Sequence, residues 1–275
     1  MVKAWFNKLD FKIEADIEYT NKGRPTEPYL SSFIVTLNGQ YGGKYDEEIT
    51  IRVFPPNDDM PVGYLNVEYM NKNEYADAKS PIEYTGMPNF SSIGKIGKVF
   101  DHMDIPDYVK RVFEIIADYA YFYDHPYFYD NPLKILSAVK EIQNEIRDLS
   151  NTSGELPRVT QTVKIYGTVF DENDYGESLG KVNIDEYFTF NDETRYKVSH
   201  SSFEVQQSSD GELIAITDRR KKEFSPSPQE ILDVIIPTRR EFENLVQFVK
   251  DVIKKGKVEF SIKKGKVEFG QKNTY

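Results

Sequence analysis

The chain has 275 residues, 39% of them hydrophobic and 29% charged, which is the composition of a globular protein long enough for one large or two modest domains. It has no cysteine, which excludes disulfides, thiolate catalysis and cysteine-ligated metal centres, and its three histidines, His102, His125 and His200, stand far apart in sequence. No apolar run approaches the roughly 18 to 20 residues of a membrane span, and the opening MVKAWFNKLDFKIEAD lacks the apolar segment of a secretory leader, so a cytoplasmic protein without a membrane is expected.

The net charge of −10 is unevenly placed. Residues 1–218 hold 21 Lys+Arg against 37 Asp+Glu, a net of −16, whereas residues 219–275 hold 14 against 8, a net of +6. An acidic body that repels nucleic acid and attracts basic protein surfaces therefore carries a basic tail.

Along the chain, FKIEADIEY (11–19) alternates apolar Phe11, Ile13, Ala15, Ile17 and Tyr19 with charged residues, which predicts a half-buried strand. SSFIVTLNG, EEITIRVF and VGYLNVEYM continue as strands broken by Gly-rich and acidic turns. A helix follows from Asp104 as N-cap, with Val109, Val112, Phe113, Ile116, Tyr119 and Ala120 on one stripe. A second helix is predicted over 132–149, and between the two lies YFYDHPYFYDNP (121–132), a six-residue unit written almost twice.

SNTSGELPR (150–158) is small, polar and closed by proline, and is read as a boundary between domains 1–150 and 151–275. Beyond it TVKIYGTVF, KVNIDEYFTF, YKVSHSSFEVQQ and ELIAITD read as strands, with SSDG as a hairpin turn. EILDVIIP is too short for its periodicity to separate strand from helix. TRRE from Thr238 is a capping-box pattern opening a helix with Phe242, Leu245, Val246, Val249 and Ile253 on its stripe, stopped at Gly256. The repeated KKGKVEF (254–260 and 263–269) predicts a terminal β-hairpin. The fold class expected is α+β: two mainly antiparallel sheet domains, the first with a helical hairpin, the second with a long C-terminal amphipathic helix and the terminal hairpin.

Chemistry is sparse. DENDYGE (171–177) begins like a calcium loop but places Tyr175 at a ligand position and Val182 at the closing one, and His125 has no second imidazole beside it, so no metal and no cofactor are expected. GKIGK (94–98) is too short for a phosphate loop, and Ser199, His200 and Ser201 lie on a strand without a nucleophile elbow, so no catalytic residue is assigned.

The aromatic repeat lies where a helical hairpin must turn. It carries Asp124 and Asp130 and no Lys or Arg, which suits packing or a protein interface and disfavours a phosphate backbone. Tyr121, Tyr123, Asp124, Tyr127, Tyr129 and Asp130 form the candidate partner surface. Arg219, Arg220, Lys221 and Lys222, with Arg239 and Arg240 at the positive end of their helix, form a candidate basic patch.

These features point to a non-catalytic cytoplasmic protein that binds another protein with a basic surface. It would act as an inhibitor or adaptor of the phage or mobile-element accessory kind, engaging a nucleic-acid-handling machine, with self-association through the terminal hairpin. The alternatives are a nucleic-acid-binding module using the basic segment, and a small-molecule enzyme whose site is assembled from residues distant in sequence.

Overall fold

The computed structural model describes residues 2–21, 24–41, 45–55, 64–71, 82–86, 105–119, 158–171, 178–190, 194–217 and 226–254. Their strands are β1 (Val2–Lys3), β2 (Lys8–Asn21), β3 (Arg24–Tyr41), β4 (Tyr45–Phe54), β5 (Tyr64–Asn71), β6 (Ile82–Gly86), β7 (Val159–Phe170), β8 (Gly180–Phe190), β9 (Thr194–Gln207) and β10 (Glu212–Ile216). The helices are α1 (Asp107–Tyr119), α2 (Pro228–Ile235) and α3 (239–254). The protein is α+β, and the antiparallel character expected of both parts holds throughout.

All ten strands form one sheet in the order β1-β10-β9-β8-β7-β2-β3-β4-β5-β6. The two sheets expected from the sequence are thus two halves of one, joined where β2 pairs with β7 over the span Lys8↔Phe170 to Glu18↔Thr160. Alternation alone cannot foresee this, because β2 is edge-like in sequence and gains its second neighbour from strands more than 140 residues away. The ion pair of Arg158 with the buried Glu18 closes one end of this junction. The segment proposed as a boundary lies, but for Arg158, outside the described residues, as do the predicted helix 132–149, the aromatic repeat and the terminal hairpin.

Each half has five strands: β2 to β6 run as a meander, and β7 to β10 run as another completed at its outer edge by β1. In a flat sheet β1 and β2 would lie five strand spacings, about 24 Å, apart. The chain from Lys3 to Lys8 spans at most about 18 Å. The β7–β10 half must therefore twist and curl to bring its edge back towards the start of β2.

Side-chain alternation divides the sheet into two faces. Leu9, Phe11, Ile13, Ala15 and Ile17 of β2 stand beside Val35 and Leu37 of β3, Ile49, Ile51 and Val53 of β4, and Ile165 and Val169 of β7. These join the helices in one core with Tyr108, Val109, Val112, Phe113 and Ile116 of α1, Ile231, Leu232 and Ile235 of α2, and Phe242, Leu245 and Val249 of α3.

Phe113 meets Phe33 edge-to-face at 5.4 Å, and Phe242 meets Trp5 at 5.1 Å. The Trp5 indole N–H donates to the Pro237 carbonyl at 2.5 Å, fixing the crossover from β1. Lys250 of α3 stands 4.6 Å over the Tyr69 ring of β5, so this helix reaches across to the first half.

EILDVIIP resolves as helix α2. Ser227 caps it, accepting from the Glu230 N–H at 3.2 Å while the Glu230 carboxylate accepts from the Ser227 N–H at 2.6 Å, and Pro228 occupies the first turn. The predicted box on α3 is present as well, with Thr238 and Glu241 bonded reciprocally at 2.8 and 3.3 Å. SSDG makes the expected β9–β10 turn, with Gly211 at φ 81°. No helix among the described residues is long and apolar enough to cross a membrane.

Candidate ligand groove on the open sheet face

The face opposite the helices carries the even-numbered side chains of β2, and no described element crosses it. Register places them in rows. One row runs His200, Asp185, Lys164, Glu14, Ile34, Arg52, Asn66 from β9 to β5; the next runs Ser202, Asn183, Tyr166, Lys12, Thr36, Thr50, Glu68. Most of these polar groups satisfy one another across strands: Thr36 with Thr50 at 3.1 Å, Arg52 with Asn66 at 2.5 Å and with Glu68, Asp16 with Ser32 at 2.8 Å and Thr162 at 2.5 Å. Such cross-strand pairs stabilise a solvated sheet face by a few tenths to about 1 kcal/mol each.

Over β2, β7 and β8 this face opens into a groove of about 1080 Å³. Four lysines converge there, Lys8, Lys12, Lys164 and Lys181, with the rings of Tyr166, Tyr187 and Phe170 and the polar groups of Thr168 and Asn183. Gly167 and Gly180 form part of the wall because β7 and β8 approach too closely for side chains at those positions.

Three of the lysines have carboxylate partners, two of them sharing one. Lys8 pairs with Asp10 at 2.6 Å, and Lys12 and Lys164 share Glu14 at 3.0 and 3.2 Å. Burial pushes the Glu14 carboxyl up, but the two ammonium groups outweigh it and hold the group below the ordinary carboxylate range. Lys181 is exposed and makes no ion pair among the described residues, although Glu204 stands opposite it in register.

Asp185 is the buried acid of the groove, 3% exposed. Its Oδ2 accepts from the hydroxyls of Tyr166 at 3.1 Å and Tyr187 at 3.0 Å, and its Oδ1 accepts from Nδ1 of His200 at 2.6 Å. A carboxylate acceptor assigns the proton of the imidazole to Nδ1. One carboxylate thus orients two phenol rings and an imidazole. Phe170, 41% exposed at the end of β7, is one of two large apolar side chains left open among the described residues; the other is Ile216 on β10, 39% exposed and on the same face.

None of this matches the residues singled out from the sequence. Tyr121, Tyr123, Asp124, Tyr127, Tyr129 and Asp130 lie outside the described residues, and so do Arg219, Arg220, Lys221 and Lys222. Arg239 and Arg240 sit exposed in the first turn of α3, and Arg239 pairs with Glu243 one turn on at 2.9 Å, which answers its position at the positive helix end without an external anion. No cluster of metal-ligating side chains occurs among the described residues.

In sequence His200 is flanked by Ser199 and Ser201, but its partner in the fold is Asp185, fifteen residues earlier on the adjacent strand. Only the β8–β9 register could have revealed it. Comparison of the chain with protein-family models, with curated proteins and with solved structures finds no match.

Proposed function

We propose that the protein is a non-catalytic binding protein that engages another protein across the open face of its sheet. The observation that supports this reading is the sidedness of the fold. Helices pack on one face, while the other displays rows of mutually satisfied polar side chains around two exposed apolar anchors, Phe170 and Ile216. Aromatic and aliphatic anchors set in a polar surround are what protein interfaces use, and a net charge of −10 steers basic partners towards the chain. An inhibitor or adaptor acting on a nucleic-acid-handling machine, at home in the cytoplasm, is the concrete form of the proposal.

The test is affinity capture with the tagged chain at low salt, with and without nuclease, beside Phe170→Glu and Ile216→Glu forms. A stoichiometric protein that survives nuclease and is lost from both variants, while their melting temperatures stay unchanged, supports the reading. Captured nucleic acid, or a partner indifferent to both substitutions, overturns it. One observation favours a second reading: the groove gathers convergent polar side chains, as a small-molecule site does.

A further inference from the structure

We propose that the groove over β2, β7 and β8 is a binding site for a small organic anion, a carboxylate or phosphate monoester on a planar aromatic body. This inference rests on the second reading of the groove and shares only Phe170 with the protein-binding one. Charge sets the size of the ligand. Lys8, Lys12 and Lys164 stand against Asp10, Glu14 and the buried Asp185, so among the described residues Lys181 is the cation without a carboxylate to offset it.

Such a site balances about one negative charge. A nucleic-acid strand needs several phosphates neutralised at once, and it would approach a chain of net charge −10. The local balance therefore selects a small anion over a polyanion.

The walls select the body. Phe170 presents an exposed ring at one end of the groove, and Tyr166 and Tyr187 are held in place because Asp185 accepts from both hydroxyls. Rings anchored in this way offer stacking surfaces without loss of side-chain freedom on binding. The amide of Asn183 supplies a neutral hydrogen bond to the ligand's polar end, while the Thr168 hydroxyl donates to Asp10 at 2.5 Å.

The experiment is a titration of the isotope-labelled full chain, followed by amide NMR, with phenyl phosphate, 4-hydroxybenzoate, inorganic phosphate and benzyl alcohol. Saturable shifts at Tyr166, Thr168, Lys181 and Asn183 are expected with the two aromatic anions, with weaker binding of inorganic phosphate and none of benzyl alcohol. The two anions against each other separate phosphate from carboxylate preference.

Lys181→Ala should weaken binding about tenfold, the size of one charge-assisted contact. Phe170→Ala should weaken it several-fold, and Arg240→Ala, remote from the groove, should leave it unchanged. The proposal is overturned if no aromatic anion gives saturable shifts, if benzyl alcohol binds as well as the anions, or if neither Lys181→Ala nor Phe170→Ala changes the affinity of a variant whose spectrum remains folded.

Discussion

The hydroxyl of Tyr108 on α1 donates a hydrogen bond to the carbonyl of Ile235, the last residue of α2. The phenol is buried at 2% exposure, and burial pushes its ionisation far above the ordinary range, so it stays a neutral donor at any working pH. Arg111, one turn later, pairs with Glu241 of α3, the same carboxylate that accepts from the Thr238 N–H and hydroxyl. The helix of the first half is thereby tied to both helices of the second, on top of the β2–β7 junction beneath them.

Replacing Tyr108 by Phe keeps the ring and removes the donor, leaving a buried carbonyl unsatisfied. A loss of about 1 to 3 kcal/mol is expected, in the same range as other buried acceptors stripped of their partner. Denaturant unfolding read by tryptophan fluorescence and by circular dichroism checks it. Because the halves share a sheet and a core, both probes should report one coincident transition for the native chain. Two separated transitions would show that the halves fold independently.

Two glycines on neighbouring strands should be intolerant of any side chain. A Cβ at Gly167 would lie 2.1 Å from the Lys181 carbonyl oxygen, and one at Gly180, already at φ 149°, would lie 2.1 Å from that of Thr168. Both obstacles are backbone, so the ladder itself would have to part. Gly167→Ala is expected to prevent folding or to cost more than about 3 kcal/mol. Gly211→Ala, in the open β9–β10 turn at φ 81°, should cost only about 1 kcal/mol. Thermal melts of the two variants give the comparison, and equal losses would contradict the close approach of β7 and β8.

How much of this was legible in the sequence depends on the range of the interaction. β2, the strands that follow it and the capping box at Thr238 were readable because alternation and capping act over a few residues. α2 is ambiguous by periodicity because eight residues give barely two turns; its sequence signal is the Ser227-Pro-Gln-Glu230 box. The sheet's unity and the groove were not readable at all. Lys12 and Lys164 share Glu14, and His200 finds Asp185, only after four strands acquire a register. Their charges look like ordinary alternation on separate strands.

Acid should loosen the open face through Glu14. Its folded pKa is depressed, so it contributes stability above the unfolded value, 4.5, and that contribution is lost as pH falls through the lower folded value. Glu14→Gln should flatten the stability curve from about pH 4.5 downward and leave its slope near neutrality untouched. Urea midpoints measured from acid to neutral pH on both forms test this. An unchanged acid limb would mean that Lys12 and Lys164 do not stabilise the carboxylate.

The outer edge of β10 is covered by a side chain. β1 pairs with it only at Val2↔Leu213 and Lys3↔Glu212. Beyond that, the Gln229 amide of α2 accepts from the Ala215 N–H at 2.8 Å and donates to the Leu213 carbonyl at 3.4 Å, as a further strand would. Gln229→Ala should cost about 1 kcal/mol and uncover an edge that templates strand pairing. Sedimentation should then find concentration-dependent association in the variant beyond that of the native chain, and identical sedimentation would refute the covering role.

Asp185 is the residue whose loss should be felt both in stability and in the groove. Asp185→Ala strands three donors, those of Tyr166, Tyr187 and His200, of which the half-exposed groups recover water at one end. The net cost should be about 1 to 3 kcal/mol, because the carboxylate itself is buried and its donors are charge-assisted. Asp185→Asn restores an acceptor of the same shape without the charge and should recover part of that loss. Its amide group can accept from the phenols at its oxygen but cannot serve all three donors. Ring-proton spectra of Tyr166 and Tyr187 provide the readout that stability alone does not. Both rings should lose their fixed orientation in the Ala form and keep most of it in the Asn form. Rings that stay ordered in both would mean that strand packing, and not Asp185, positions the aromatic wall.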